Sequence, residues 1–270
     1  MSEVLWSALV GGSVAVAAIV AICLRHDRPT LIALGPLCYA APLAAFGTEH
    51  FTLTSAIASL VPAWLPWHEL WVYAIGAAFI AAALAMATGI LARWAAYAVA
   101  ATFLVFVALM DVPAWAQDPS DRIALTLALR ELAFCAGALA LTRHPVLAMI
   151  ARYLIAIGAV VYSVEQLTHG DHVPGVPLDL LTPTYVVGHA VWTYVAGVVY
   201  AVTGMLLLAN RHARAAATWL GATVLFVVVV VYLPFLIEDH ASLQAFNFFA
   251  DTLMFGGAVL LTAAPPRAAA

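Results

Sequence analysis

The sequence predicts an all-α, polytopic transmembrane bundle of about nine spans: one N-terminal helix followed by two parallel four-helix repeats. Three observations predict it. Of the 270 residues, 66% are apolar and only 9% charged, against about 25% charged in an ordinary soluble domain. Nine stretches are apolar over roughly the 20 residues that a helix needs to cross the hydrocarbon core while satisfying its own backbone. The second half of the chain also repeats the first at a near-constant offset. The same composition excludes a soluble enzyme and a disordered chain. A net charge of -4 with ten basic residues, all Arg, leaves no basic patch for nucleic acid.

The nine stretches run from Val4 to Leu24, Thr30 to Gly47, Leu70 to Leu91, Trp94 to Val112, Ile123 to Leu141, Val146 to Leu167, His189 to Ala209, Ala215 to Ile237 and Leu243 to Ala263. MSEVLW carries Glu3 and no basic residue ahead of the first apolar run, so the basic n-region of a cleavable signal is missing and the first helix is expected to be retained. Alternating the connections puts Arg25, Arg28, Arg93, Arg143, Arg211, Arg214 and Arg267 on one side and Arg122 on the other. By the positive-inside rule the N-terminus lies outside and the C-terminus in the cytoplasm; a bacterial inner membrane is the expected location. One span more or fewer would scatter these arginines over both sides.

The two longest connections, Thr48 to Glu69 and Thr168 to Gly188, fall on the outer side. They are too apolar and aromatic for solvated loops, carrying Trp64, Trp67, Val173, Val176 and Tyr185 among others. Such segments lie at the interface or cap a bundle, so two outer caps are expected.

VPAWLPWHELWVYAIG from Val61 matches TPTYVVGHAVWTYVAG from Thr182, pairing His68 with His189, Trp71 with Trp192 and Gly76 with Gly197. The same offset carries Arg93 to Arg214 and Pro113 to Pro234. One residue less lays ALRELAFCAGALALT on FFADTLMFGGAVLLT, with Glu131 on Asp251; upstream, FGTEHF meets YSVEQL, with Glu49 on Glu165. The expected units are a helix over 1–28, repeats over 29–143 and 144–264, and a tail over 265–270. An even number of spans per copy makes the copies parallel, with equivalent residues at equal depth, unlike the inverted repeats of many transporters.

FGTEHF, then VPAWLPWHELW and an apolar helix ending near Arg93, resembles the DoxX-like family of small four-helix membrane proteins. The second copy, with Glu165, PGVP, TPTYVVGHAVW and Arg214, resembles another member fused behind the first. The resemblance covers almost all of the chain after the first helix. It implies a four-helix bundle and a link to quinone-dependent sulfur oxidation, since that family includes a subunit of thiosulfate:quinone oxidoreductase. Fold carries over more safely than reaction, and this chain has no cysteine outside its apolar runs.

Glu131 and Asp251 lie inside spans, where a charge costs a few kcal/mol unless paired, protonated or hydrated. They are either proton-handling carboxyls facing a polar cavity or partners in a buried lock with Arg130 and Arg152. Arg130 precedes Glu131 directly, so the two are not expected on one helix face. Glu49, His50, His68, Glu165 and His189 begin or end the caps, where carboxylate and imidazole together suit proton relay to a quinone head. Trp71 and Trp192 beside them are interface anchors or walls for a flat ring. No CxxC, paired-His or other ligand spacing appears, so no metal site is expected. Three functions stay open: a quinone-linked oxidoreductase subunit, a scaffold binding a periplasmic or redox partner, and a small-molecule carrier.

Overall fold

The computed structural model describes residues 3–25, 30–186 and 188–265; the side chain of His189, Arg28 and Arg267, and the tail beyond residue 265 lie outside the described residues. Among the described residues, nine helices are long and apolar enough to cross a membrane, and strand pairing is limited to one isolated bridge, His172 to Leu181. The protein is an all-α membrane bundle.

Helix α1 (Glu3–Arg25) buries only Val4, Ser7, Gly11, Val14 and Ala18, a single stripe laid on its neighbours. A 3-10 turn over Leu31–Leu34 leads into α2 (Gly35–Thr52), and a short α3 (Thr54–Ala58) opens the first cap. Then follow α4 (His68–Thr88), α5 (Ala92–Phe106), α6 (Val112–Gln117) and α7 (Arg122–Leu141). The second half runs through α8 (Pro145–Thr168), α9 (His189–Leu208), α10 (Ala213–Val227), α11 (Leu233–Glu238) and α12 (Leu243–Thr262).

Local chemistry sets these ends. Asp121 caps α7 by accepting from the Ile123 and Ala124 amides at 2.8 and 3.2 Å, and Ser242 caps α12 by accepting from Ala245 at 3.2 Å. Pro145 opens α8, where its missing N–H leaves no donor unsatisfied. In both halves a π-helical segment, Val107–Asp111 and Val228–Tyr232, precedes a proline, Pro113 or Pro234, at the start of the next helix. The widened turn accommodates a ring that would otherwise strike the preceding carbonyl. The chain therefore stays helical from Ala92 to Gln117, five residues past the boundary expected at Val112, which sets Asp111 more than one turn from the end of its span.

Element bounds recur at an offset of 121 from α5 to α7 against α10 to α12, including both π segments and both capping residues. This corrects one pairing: Arg130, not Glu131, corresponds to Asp251, and Glu131 corresponds to Thr252. Before the caps the offset is smaller, since α2 ends at Thr52 and α8 at Thr168. The second cap, residues 169–188 against 53–67, holds the five extra residues.

Neighbouring helices run α2, α4, α5, α7, α8, α9, α10, α12 and back to α2, with α7 and α12 also touching across the middle. The first helix of each half thus leans on the last helix of the other. Close approach at this seam depends on glycine: a Cβ on Gly257 would lie 2.6 Å from the Tyr39 nitrogen, and one on Gly137 would lie 2.7 Å from the Ala258 Cβ. Tyr39, fully buried, donates its hydroxyl to the Phe134 carbonyl at 2.6 Å, so the seam is both packed and hydrogen-bonded.

Candidate functional site

Beneath the first cap lies a cavity of about 670 Å³, walled by α2, α4, α5, α7 and the cap, and closed at its inner end by α12. Most of the wall is apolar and aromatic, including Phe46, Trp71, Phe79, Phe103, Phe106 and Phe134. Leu60, Trp64, Val105 and Leu109 line it and are also exposed, so they rim a mouth that faces outward beneath the cap. Its polar groups are Glu49, His50, Arg130, Glu131, Asn247 and Asp251.

Arg130 organises the inner end. Its guanidinium donates to the Asp251 carboxylate at 2.7 Å and lies 3.8 Å from Glu131 and 5.8 Å from the centre of the Phe134 ring. Arg130 and Glu131 therefore line one cavity although, as sequence neighbours, they leave the helix in different directions. Both Arg130 and Asp251 sit eight residues from the cap-side starts of their helices, about 12 Å down at the helical rise. The Asp111 carboxyl meets that of Glu131 from the π segment.

Nearer the cap, Glu49 is 7% exposed and its Oε1 has no partner, while the Asn247 side chain meets the other side of the carboxyl. His50 Nδ1 lies 2.8 Å from the Phe46 carbonyl. A carbonyl only accepts, so Nδ1 carries a hydrogen, and in the neutral tautomer that this selects Nε2 is an acceptor. The ring stands edge-on to Phe79 at 5.6 Å. Glu131 Oε2, Arg130 Nε, Asp111 Oδ2 and Asn247 Oδ1 are likewise buried without a hydrogen-bond partner. Those that line the cavity are positions that a bound molecule can satisfy.

Of the residues singled out in the sequence, Glu49, His50, Trp71, Arg130, Glu131 and Asp251 meet here. Glu165 does not: it pairs with Arg122 at 3.6 Å and His169 at 3.5 Å on the second cap. Arg152 reaches neither Glu131 nor Asp251; its guanidinium carbon lies 4.9 Å from the Tyr153 ring centre, because α8 carries it away from the seam. His68 begins α4 outside the cavity wall, and Trp192 packs on Phe226 at 5.7 Å. His189 begins α9, and its side chain lies outside the described residues. Asp111 and Asn247 escaped the sequence reading. An acid in the run VALMDVP was a signal for the first, masked by placing the span's end beside it; Asn247 carried none.

The second half treats the equivalent space differently. Residues 173–178 of its longer cap are all buried. Gln166 donates to the Gly175 carbonyl at 2.8 Å and the Tyr232 hydroxyl to the Pro174 carbonyl at 3.2 Å. At Gly175, with φ +110°, a Cβ would stand 3.2 Å from Thr252 and 3.6 Å from Tyr232 and Val227. Those three positions correspond to Glu131, Asp111 and Phe106, and Gln166 to His50. The chain itself occupies in one half the space that is a cavity in the other.

A family described as a domain of unknown function (DUF8561) matches residues 39–132, a stretch that holds every polar cavity residue except the two supplied by α12. Neither a curated protein nor a solved structure matches the chain.

Proposed function

We propose that this membrane protein binds a lipid-soluble small molecule with an apolar body and a compact polar head in its first half, at the bilayer's outer side, with the N-terminus outside and the C-terminus in the cytoplasm. The observation that carries this is the cavity itself: aromatic walls, a mouth between exposed apolar residues, and Glu49 and Glu131 each with a buried carboxyl oxygen that has no hydrogen-bond partner. Sites for small molecules have that make-up, with a few convergent polar groups in an apolar cleft. In a bilayer such a ligand arrives already partitioned beside the mouth.

A quinone-linked redox role, which the DoxX-like resemblance implies, is the second reading. Phe79, Phe103 and Trp71 favour a flat ring, and Arg130 and Asn247 are donors for ring carbonyls. Its electron donor would be a partner protein.

Mass spectrometry of small molecules extracted from the purified protein tests both, compared with bulk membrane lipid and with Thr102→Trp, which fills the cavity from α5. A near-stoichiometric compound lost in the variant is expected; a quinone in that role selects the second reading. Identical extracts from both proteins overturn the site and leave the Arg130–Asp251 contact as a helix lock in a scaffold.

A further inference from the structure

The second half contains its own occupant, and comparing the two halves indicates what the first half takes. In the second half the groups facing residues 174–175 are donors, Gln166 and Tyr232, and they meet peptide carbonyls. At the corresponding places the first half has His50, whose free nitrogen is an acceptor, and Asp111; Thr252 is replaced by Glu131. The polarity of the pocket has inverted.

Charge points the same way. Three carboxyls line the cavity, Glu49, Glu131 and Asp251, with Asp111 against Glu131, and they stand against one guanidinium, which Asp251 holds at 2.7 Å. Glu49 is more than nine-tenths buried and lines the cavity with Oε1 unpartnered. Aromatic faces, which attract cations through their quadrupole, make up much of the remaining wall.

Resting on the reading of this cavity as a ligand site, we propose that its ligand is a lipophilic organic cation. The positive head sits between Glu49 and Glu131, with Asp111 behind Glu131, and the apolar body lies against Phe79, Phe106 and Trp71. Net positive charge satisfies acceptors that a neutral carbonyl compound leaves unpaired.

The test uses the full-length protein in nanodiscs of zwitterionic lipid, with tetraphenylphosphonium as a permanent cation and triphenylphosphine oxide as its neutral relative. The cation is expected to bind at least about tenfold more tightly than the oxide, and Glu49→Gln and Glu131→Gln each to remove about tenfold of cation affinity while leaving the oxide unchanged. Equal binding of the two probes, or cation binding indifferent to both variants, overturns the inference. Thr102→Trp separates it from the reading beneath. If that variant loses the oxide while the wild type shows no preference for charge, only the cation assignment fails. If Thr102→Trp still binds the cation as the wild type does, the cavity is not the site and both fail. A melting curve for each variant checks that it is folded.

Discussion

Arg130 and Asp251 occupy corresponding positions in the two halves and meet across the α7–α12 seam at 2.7 Å, so one contact joins the halves and closes the cavity's inner end. Asp251→Asn leaves the guanidinium facing Glu131 alone and is expected to destabilise the fold by about 3–5 kcal/mol, the cost of breaking a buried pair by removing one member. Thermal unfolding in detergent measures it; Asp179→Asn, on the second cap with its side chain 77% exposed and 3.2 Å from Arg122, is expected to stay within about 1 kcal/mol of wild type. On that cap the Tyr185 hydroxyl donates to the Val231 carbonyl at 2.7 Å. Desolvation, and then the nearby Glu238 carboxylate, pushes its phenol up to about 12. The folded value lies above the ordinary value of about 10, so this group's contribution to stability is complete below about pH 10 and is lost as pH rises through about 12. Difference absorbance between wild type and Tyr185→Phe is expected to show one phenolate forming near pH 12; formation near pH 10 contradicts the desolvation of this phenol beside Glu238.

Among the elements, the helix seams are set by glycines whose neighbours are backbone, and these do not yield. Gly257→Ala drives a methyl into the α2 backbone at Cys38 and Tyr39, within 2.6–2.7 Å, and is expected to cost about 1–3 kcal/mol through overpacking. Gly158→Ala, where a Cβ meets nothing within 4 Å, is expected to be neutral or to stabilise α8 by up to about 1 kcal/mol. Melting temperatures of the two variants, side by side, distinguish a packed seam from a general intolerance of helical change. The π segments have a different role. By widening the turn ahead of Pro113 and Pro234 they keep a long span continuous, and in the first half that geometry puts Asp111 against Glu131.

For the whole molecule, the contrast between halves lies in one loop: element bounds recur at an offset of 121 from α5 onward, while the caps differ in length. Five extra residues in the second cap let residues 173–178 descend and fill their half. Cutting that cap to the length of the first is expected to open a second cavity lined by Gln166, Tyr232 and Thr252. A thiol-reactive probe on Thr252→Cys reads this: the cysteine is expected to be inert in the full chain, where Thr252 is fully buried, and labelled in the shortened one. Equal protection in both would show that the neighbouring helices, not the cap, close that space.

Much of this was legible in the sequence. Span number follows from the length of apolar runs, because lipid gives backbone no alternative partner, and the capping role of the two aromatic connections follows from their composition. Intramembrane Glu131 and Asp251 stand out for the same reason: a charge there needs a partner. What distance along the chain does not encode is which helices become neighbours. The sequence alone does not indicate that α12 closes a cavity built by α2 to α7, that Asp251 pairs with Arg130 while Arg152 stays apart, or that Asn247 meets Glu49. A local match shifted by one residue disguised the correspondence of Arg130 with Asp251, since small apolar residues align almost equally well in either register. Nor does composition separate a cap that covers a cavity from one that fills it. Both caps are apolar, and only packing in three dimensions decides whether five more residues go outward or down. The sequence by itself determined a nine-span all-α membrane bundle, through hydrophobicity and periodicity. The tertiary structure alone decided which of its two halves holds a cavity, because that depends on side chains brought together from helices distant in the chain.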